Sequence, residues 1–317
     1  MPAHRPEIGP LIAGDRVLVL DGGLATQLEA QGCDLSDRLW SARLLAADPE
    51  AIVAAHLAFF RAGARVATTA SYQATFEGFA ARGIGHDEAA SLLRQSVSLA
   101  LLARERFRAE RAAAGAPDPR PLLVAASVGP YGAMLADGSE YRGRYGLTVD
   151  ALAGFHRERL TILAATDADL LAVETIPELD EAVAIARLLD EIPGARAWVS
   201  FSCADAGHLR SGAPIEEAVE AVAGSPAVIA VGVNCTAPEH VEALVGRVRA
   251  VTSKPVVVYP NSGEGWDAAA RRWTGAQAGR VDGAAAHRWH AAGATLIGGC
   301  CRVTPDQVAL IAGAFAA

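Results

Sequence analysis

The sequence is poor in lysine and lacks the glycine-rich loops that bind phosphate groups. Lys254 is the only lysine among 317 residues, so Schiff-base chemistry has a single candidate nucleophile. Neither G-x-G-x-x-G nor G-x-x-x-x-G-K-[ST] follows an apolar run, and no G-x-S-x-G is present. These absences argue against an aldolase or lyase acting on a phosphorylated substrate, against a dinucleotide-binding domain and against a serine hydrolase.

Long apolar runs and a basic surface are also missing. No run approaches the roughly 18 apolar residues of a membrane span, and the polar N-terminus lacks the apolar core of a signal peptide. The net charge of −8 argues against a nucleic-acid partner. Five cysteines, an odd number, fit a reducing compartment better than a disulfide framework. We therefore expect a cytoplasmic monomer or small homo-oligomer with no membrane partner, whose ligands are cationic or zwitterionic small molecules.

Eight short apolar runs alternate with alanine-rich segments of helical periodicity. The predicted strands are residues 17–21, 65–69, 122–127, 170–174, 197–201, 228–233, 256–259 and 295–297. Several runs are continuously apolar, which is typical of parallel strands covered by helices on both faces. Asp48, Asp87, Thr148 and Thr304 each stand where a helix is predicted to begin.

This alternation predicts one α/β domain, a (β/α)₈ TIM barrel of residues 13–317 preceded by a loose lead-in of residues 1–12. An open doubly wound sheet is the alternative, and the missing dinucleotide fingerprint counts against it. Residues 261–274 are predicted to form a long loop after the seventh strand. In a TIM barrel the active site lies at the C-terminal ends of the strands.

Three cysteines fall just past predicted strands. Cys235 follows the sixth strand, and Cys300 and Cys301 follow the eighth strand and the pair Gly298-Gly299. Three thiols at one face suggest three protein ligands of one zinc ion, with the fourth tetrahedral position open to a substrate. The glycines are expected to let the backbone turn sharply, so that both consecutive thiols face the ion. A vicinal disulfide between Cys300 and Cys301 is the alternative, and it would leave Cys235 without a role.

Carboxylates and glycines mark other strand ends. Asp21-Gly22-Gly23 follows the first strand, and Glu174 ends the fourth. We interpret them as a clamp for an amino acid, in which the glycine amides receive the carboxylate and Glu174 receives the ammonium group. A helix cap or a loop ion pair is the alternative for each acid. Four aromatic residues near this face are candidates for cation–π binding: Trp40, Tyr72, Tyr259 and Trp266.

Six motifs together resemble the homocysteine S-methyltransferase family over nearly the whole chain. They are Asp21-Gly-Gly, Thr69-Ala-Ser-Tyr-Gln-Ala-Thr75, Val173-Glu-Thr175, Gly232-Val-Asn-Cys235, Tyr259-Pro-Asn-Ser-Gly-Glu264 and Gly298-Gly-Cys-Cys301. The resemblance implies a zinc-dependent (β/α)₈ barrel that methylates homocysteine to methionine. It implies one Zn²⁺ per chain, on Cys235, Cys300 and Cys301. The homocysteine site that it implies consists of Asp21, Gly22, Gly23, Thr69, Glu174 and Asn234.

Within this family, the motifs of residues 69–75 and 259–264 resemble the branch that uses S-methylmethionine or S-adenosylmethionine. The resemblance thus implies a cationic methyl donor, and Trp40, Tyr72, Tyr259 and Trp266 are the residues expected around it. A betaine-using enzyme is the alternative, although the 16 residues after Cys301 are too few for the long C-terminal extension of that branch.

The expected reaction is an in-line methyl transfer from a sulfonium sulfur to a zinc-activated homocysteine thiolate. This step needs no general acid or base. A non-enzymatic alternative is a zinc-storage or redox-sensor barrel, which would leave Asp21 and Glu174 without a purpose.

Overall fold

The computed structural model describes residues 16–35, 41–267, 272–276 and 279–316. Its strands are β1 (Leu18–Val19), β2 (Val66–Thr68), β3 (Leu123–Val128), β4 (Leu170–Ile176), β5 (Ala197–Phe201), β6 (Val228–Asn234), β7 (Val256–Tyr259), β8 (Gly265–Asp267), β9 (Arg272–Thr274) and β10 (Ala294–Ile297). Its helices are α1 (Leu24–Ala30), α2 (Ser41–Ala47), α3 (Pro49–Arg61), α4 (Phe76–Ala80), α5 (His86–Ala113), α6 (Tyr131–Leu135), α7 (Val149–Ala164), α8 (Leu179–Glu191), α9 (Ile215–Ala223), α10 (Pro238–Val251), α11 (Gly283–Ala292) and α12 (Pro305–Ala314). Ser139–Tyr141 form one turn of 3₁₀ helix.

Eight parallel strands form a nearly closed barrel with helices around it. Hydrogen-bonded neighbours follow the order β1-β10-β7-β6-β5-β4-β3-β2, and a bridge between Leu20 and Val66 brings β1 next to β2. A helix follows each barrel strand, so the strands are covered on both faces, as their continuous apolar runs require. The prediction of a single-domain TIM barrel is confirmed, and the predicted strand bounds differ from the observed ones by at most two residues.

Side-chain caps explain where several helices begin. Asp48 accepts a hydrogen bond from the Ala51 amide at 3.1 Å, and Thr148 accepts one from the Ala151 amide at 3.2 Å. Thr304 forms a capping box at the start of α12. Asp87 does not cap α5, because the helix begins one residue earlier with Gly85 as its cap residue. Asp87 instead lies in the first turn, where its negative charge interacts favourably with the helix dipole.

The core has two shells that meet at the strands. Leu20, Leu123, Trp198 and Leu296 belong to the cluster inside the barrel, while a larger cluster fills the space between strands and helices. The inner shell is tightly packed around Gly232 of β6, where a Cβ atom would lie 1.8 Å from the carbonyl oxygen of the neighbouring β7. This inner shell lies directly beneath the strand ends, where the site residues are located.

The segment after β7 differs from the prediction. Residues 261–274 were expected to be a loop, but β8 and β9 pair there as an antiparallel hairpin, with Gly265 opposite Thr274. Strands of three residues are too short to leave a readable alternation in the sequence. In the part of the chain that the structure describes, no helix is long and apolar enough to cross a membrane.

Candidate active site

The C-terminal ends of β6 and β10 bring three cysteines together, because both strands flank β7. The Cys301 Sγ lies 4.0 Å from the Cys235 Sγ and 3.9 Å from the Cys300 Sγ. The sulfurs of Cys235 and Cys300 lie within disulfide distance of each other. The three cysteines thus form one cluster, and its closest pair is Cys235 with Cys300, not the vicinal pair considered from the sequence.

The backbone around the cysteines does not turn for the reason expected. Gly298 and Gly299 do not have positive φ angles, whereas Cys235 itself adopts φ 45°. The two glycines are required for space instead. A Cβ at Gly298 would lie 2.7 Å from the Asp21 carbonyl oxygen, and one at Gly299 would lie 2.2 Å from a Val303 methyl group. Close packing of the β10 end against the β1 end therefore positions the thiols.

Two of the three sulfur–sulfur distances suit a tetrahedral metal ion. Four-coordinate zinc with bonds of about 2.3 Å places its sulfur ligands about 3.8 Å apart. Both distances from Cys301 are close to this value. Cys235 and Cys300 lie closer together and would hold the same ion only as reduced thiols, about 3.8 Å apart. Burial, with Glu174 nearby, raises the pKa of Cys301 to about 12, so a bound cation would have to replace the thiol proton. The three residues can therefore hold a metal.

Asp21 and Glu174 lie at the same face and are both buried. Asp21 accepts hydrogen bonds from the Thr68 amide at 2.6 Å and from the Thr68 hydroxyl at 3.0 Å. Glu174 accepts a short hydrogen bond from the Ser127 hydroxyl and another from the Tyr259 hydroxyl. Burial raises the pKa of Asp21 to about 8 and that of Glu174 to about 7. A cation placed beside them would favour their ionised forms.

One cavity of about 100 Å³ connects the thiols with the carboxylates. This volume lies below the roughly 300–1,000 Å³ of sites for drug-sized ligands, so the cavity suits a small substrate. Asp21, Glu140 and Glu174 line it together with the three cysteines, and no lysine, arginine or histidine is among its described lining residues. The cavity therefore favours ligands that bring positive charge.

Two further residues predicted for the homocysteine site, Gly22 and Gly23, also line the cavity. The Gly23 amide donates to the Val303 carbonyl oxygen at 2.9 Å. It therefore already has a partner, contrary to the expectation that both glycine amides receive a substrate carboxylate. A Cβ at Gly22 would lie 2.6 Å from the same oxygen. The glycines allow the β1 end and the loop after β10 to approach each other closely.

Thr69 and Asn234 occupy different positions relative to the cavity. Thr69 lines the cavity, and its hydroxyl accepts a hydrogen bond from the Ser127 amide at 3.0 Å. Asn234 is buried and is not among the lining residues. Its side chain accepts from the Thr175 amide at 2.7 Å, and its Nδ2 lies 4.0 Å from the Cys300 sulfur. Asn234 therefore supports the β4 end and a cysteine from behind the cavity wall, and its contact with homocysteine stays a prediction.

The aromatic residues divide into two groups. Tyr72 and Tyr259 line the cavity. The Tyr259 hydroxyl is 2.6 Å from the Ser200 hydroxyl and accepts from the Trp198 indole at 2.9 Å, which anchors the ring in the inner core. Trp40 lies outside the described residues, and Trp266 is described only as part of the β8 backbone.

Gln73, Glu140 and Tyr141 also line the cavity, although no pattern in the sequence singled them out individually. Glu140 and Tyr141 lie in the 3₁₀ turn well beyond the end of β3. Tyr141 hydrogen-bonds with Cys301, and its ring lies 5.3 Å from the Arg210 guanidinium carbon. Burial raises the pKa of Glu140 to about 7. Glu140 and Tyr141 follow the third strand, and the loop after any barrel strand lies at the face where TIM-barrel active sites form. That topological signal could have identified them.

Barrel and cavity together define a class of protein: a TIM barrel whose strand ends hold a three-cysteine metal-type cluster beside an acidic pocket for a small ligand. A model of the homocysteine S-methyltransferase family matches residues 18–315. The chain therefore belongs to the homocysteine S-methyltransferase family, and it is an enzyme of the methyltransferase class.

Known relatives extend over nearly the whole chain. It is 48% identical over 297 residues to the homocysteine S-methyltransferase YbgG of Bacillus subtilis, covering 93% of each protein. It is 50% identical over 297 residues to a homocysteine S-methyltransferase of Escherichia coli, covering 93% of this chain and 94% of that protein. The crystal structure of the metallated form of the E. coli homocysteine methyltransferase MmuM superposes with a TM-score of 0.85 at 46% identity, covering 96% of this chain and 99% of that one.

Proposed function

We propose that this protein transfers a methyl group from a sulfonium donor to homocysteine and so forms methionine. The observation that carries the proposal is the cavity in which three cysteine sulfurs face buried carboxylates, with no basic side chain among the described lining residues. The relatives that act on homocysteine support the choice of acceptor. Family membership also favours an enzyme over the zinc-storage or redox-sensor alternative.

Zn²⁺ is the proposed metal, one ion per chain, with Cys235, Cys300 and Cys301 as its ligands. Three cysteine ligands leave one tetrahedral position for the substrate sulfur. Zinc, when bound, lowers the pKa of a coordinated thiol, so that homocysteine is held as a thiolate. Tyr141 and Asn234 approach two of the cysteine sulfurs and would keep them oriented.

The remaining residues would bind and orient homocysteine. Glu174 and Asp21 are the proposed partners of its ammonium group, since both are buried acids beside the thiols. Gly22 and Gly23 would let the substrate backbone approach the β1 end. Thr69 would fix the strand ends through its bond from Ser127.

S-methylmethionine is the first proposed donor, with S-adenosylmethionine second and betaine as the alternative. Tyr72 and Tyr259 would form its aromatic wall, because a ring face attracts a cation. Trp40 and Trp266 stay predictions for this wall. So do the domain limits at residues 13–317, the cytoplasmic location, the absence of a nucleic-acid partner and the monomeric or small homo-oligomeric state.

The direct experiment measures methionine formed by zinc-loaded protein from homocysteine, with S-methylmethionine, S-adenosylmethionine and betaine supplied separately. We expect turnover with a sulfonium. Turnover with betaine alone would replace the donor assignment. One zinc per chain without turnover on any donor would refute the proposed reaction.

Single cysteine replacements test the metal assignment. Cys235→Ser, Cys300→Ser and Cys301→Ser should each lower bound zinc, measured by atomic emission. Each should also lower kcat/KM by at least about a hundredfold, because even outer-shell changes cost roughly 10–100-fold. Cys33→Ala is the matched control, since Cys33 is a free cysteine outside the cluster. A Cys301→Ser variant with full zinc content and full activity would contradict the assignment.

A further inference from the structure

Glu140 is a buried acid that the proposed homocysteine site does not use. It lies in the 3₁₀ turn at the cavity wall and is only 5% exposed. Its Oε2 atom has no hydrogen-bond partner among the described residues. A buried acceptor without a partner loses its hydration and gains nothing in return, at about 1–3 kcal/mol or more for a charged group. At the wall of a cavity, such an atom is placed to accept from a donor that arrives with a ligand.

Gln73 supplies a second acceptor of the same kind. Its Nε2 donates to the Ala133 carbonyl oxygen at 3.1 Å, which fixes the orientation of the amide. Its Oε1 is buried and has no partner among the described residues. Gly132, next to Ala133, packs so closely that a Cβ there would lie 2.5 Å from the Glu140 amide nitrogen. Helix α6 thus contacts both Gln73 and the backbone of Glu140.

Arg142, the cation whose charge acts on Glu140, does not supply this donor. Arg142 follows the turn, but its guanidinium contacts Asp137 at 3.4 Å and the Ser139 hydroxyl at 2.7 Å, and its side chain is 64% exposed. The other two acids of the cavity have hydrogen-bond donors in the chain: Thr68 for Asp21, and Ser127 for Glu174. Among the described lining residues, Glu140 and Gln73 are therefore the side chains that offer an oxygen without a partner, and Tyr72 and Tyr141 line the cavity with them.

An ammonium group has the chemistry that this acceptor pair requires. It carries positive charge for the carboxylate and up to three N–H donors for both oxygens. A quaternary ammonium such as betaine has no N–H and would leave both acceptors unpaired.

We propose that Glu140, together with Gln73, binds the α-ammonium group of the methyl donor and so selects an amino-acid sulfonium. The inference rests on the proposed function and adds to it the chemical class of the donor. It assigns the two ammonium groups of the ternary complex to two places. Homocysteine takes Glu174 and Asp21, and the donor takes Glu140 and Gln73.

The test compares S-methylmethionine with (3-carboxypropyl)dimethylsulfonium, which has the same sulfonium and carboxylate but no amino group. Wild-type enzyme should favour S-methylmethionine in kcat/KM. In Glu140→Gln this preference should fall by about tenfold or more, the usual effect of losing one charge-assisted hydrogen bond. The loss should arise with S-methylmethionine, while the KM for homocysteine and the zinc content stay within about twofold of wild type.

Asp137→Asn is the matched control. It removes one negative charge from the same loop, and its oxygen can still accept from the Ser139 amide, as Asp137 does at 2.9 Å. This variant should keep the wild-type preference. Gln73→Leu should lower the preference by a smaller factor, about threefold or more, in line with loss of a neutral acceptor.

A binding measurement keeps the test independent of turnover and of variant folding. Calorimetry on the wild-type zinc protein should give a tighter Kd for S-methylmethionine than for the deamino analogue, again by about tenfold or more. Equal Kd values, or an unchanged preference in a folded Glu140→Gln variant that still turns over, would overturn the inference while leaving the proposed function intact. No turnover of S-methylmethionine or of S-adenosylmethionine by wild type would instead refute the proposed function.

Discussion

Two buried polar clusters sit near the same end of the barrel, and they are built in opposite ways. In the first, which we call the internal network, Arg159 and His156 of α7 meet Glu181 of α8. The Arg159 guanidinium contacts His156 Nδ1 at 2.9 Å and the Gly129 carbonyl oxygen at 2.6 Å. Glu181 contacts His156 Nε2 at 2.8 Å and accepts from the Tyr131 amide at 2.6 Å. Here the negative charge and the positive charge both come from the chain.

The second cluster, in the cavity, has acids without bases. Asp21, Glu140 and Glu174 line it with three cysteines, and its described lining residues include no cation. Burial is the largest cause of the raised pKa of each of these carboxyl groups. The internal network ties the loop after β3 to the helices, whereas the cavity is completed by what it binds. Glu181 shares its surroundings with His156 and the charge of Arg159, whereas the three cavity acids share theirs with no basic side chain among the described lining residues.

The largest expected effect comes from breaking the internal network. Arg159→Met would remove the guanidinium that contacts His156 and the Gly129 carbonyl oxygen and whose charge acts on the buried Glu181. Breaking a buried charged network of this kind typically costs about 3–5 kcal/mol. Urea denaturation should therefore show a much lower midpoint. Arg157→Met, on the same helix and with an exposed ion pair to Glu191, should lose no more than about 1 kcal/mol. Equal losses in both variants would contradict the contrast.

His56 offers a third case, a buried titratable group with neither a partner nor a cavity. It is fully buried in α3, and its two ring nitrogens have no partner among the described residues. Burial lowers its pKa from 6.5 to about 4. Below pH 6.5 the unfolded chain takes up a proton that the folded chain refuses. Stability should therefore be complete above pH 6.5 and fall as the pH drops toward 4.

The test compares His56→Leu with wild type. At pH 5 wild type should have lost about 2 kcal/mol of unfolding free energy through this histidine, which His56→Leu should retain. Denaturation at pH 7.5 and pH 5 gives the difference. His287→Leu, which removes an exposed ring, should follow the wild-type curve. The same pH dependence in His56→Leu and wild type would show that His56 does not titrate in this way.

The fold was predictable because its signals are local. Continuous apolar runs gave the barrel strands, and Asp48, Thr148 and Thr304 cap helices where the sequence placed them. The cysteine cluster was predictable for a topological reason, since residues that follow parallel strands meet at one face. Its role as a zinc site stays a prediction.

The rest depends on contacts that sequence spacing does not encode. Glu140 reaches the cavity only through the 3₁₀ turn beyond α6, and Asn234 turns out to lie behind the wall because its amide bonds to Thr175. The pairing of His156 with Glu181 joins two helices across 25 positions. No periodicity predicts such a pair.

The smallest expected effect on stability comes from replacing an acid of the cavity. In the internal network, removing a charge should destabilise the fold, but in the cavity it should not. Glu140→Gln removes a buried charge whose Oε2 has no partner among the described residues, so the ligand-free, metal-free protein should gain about 1 kcal/mol at pH 8. The same substitution should weaken donor binding, as argued above. A loss of 2 kcal/mol or more in this variant, on the scale of a broken buried bond, would mean that Glu140 stabilises the fold as the internal network does, and the distinction between the two clusters would fail.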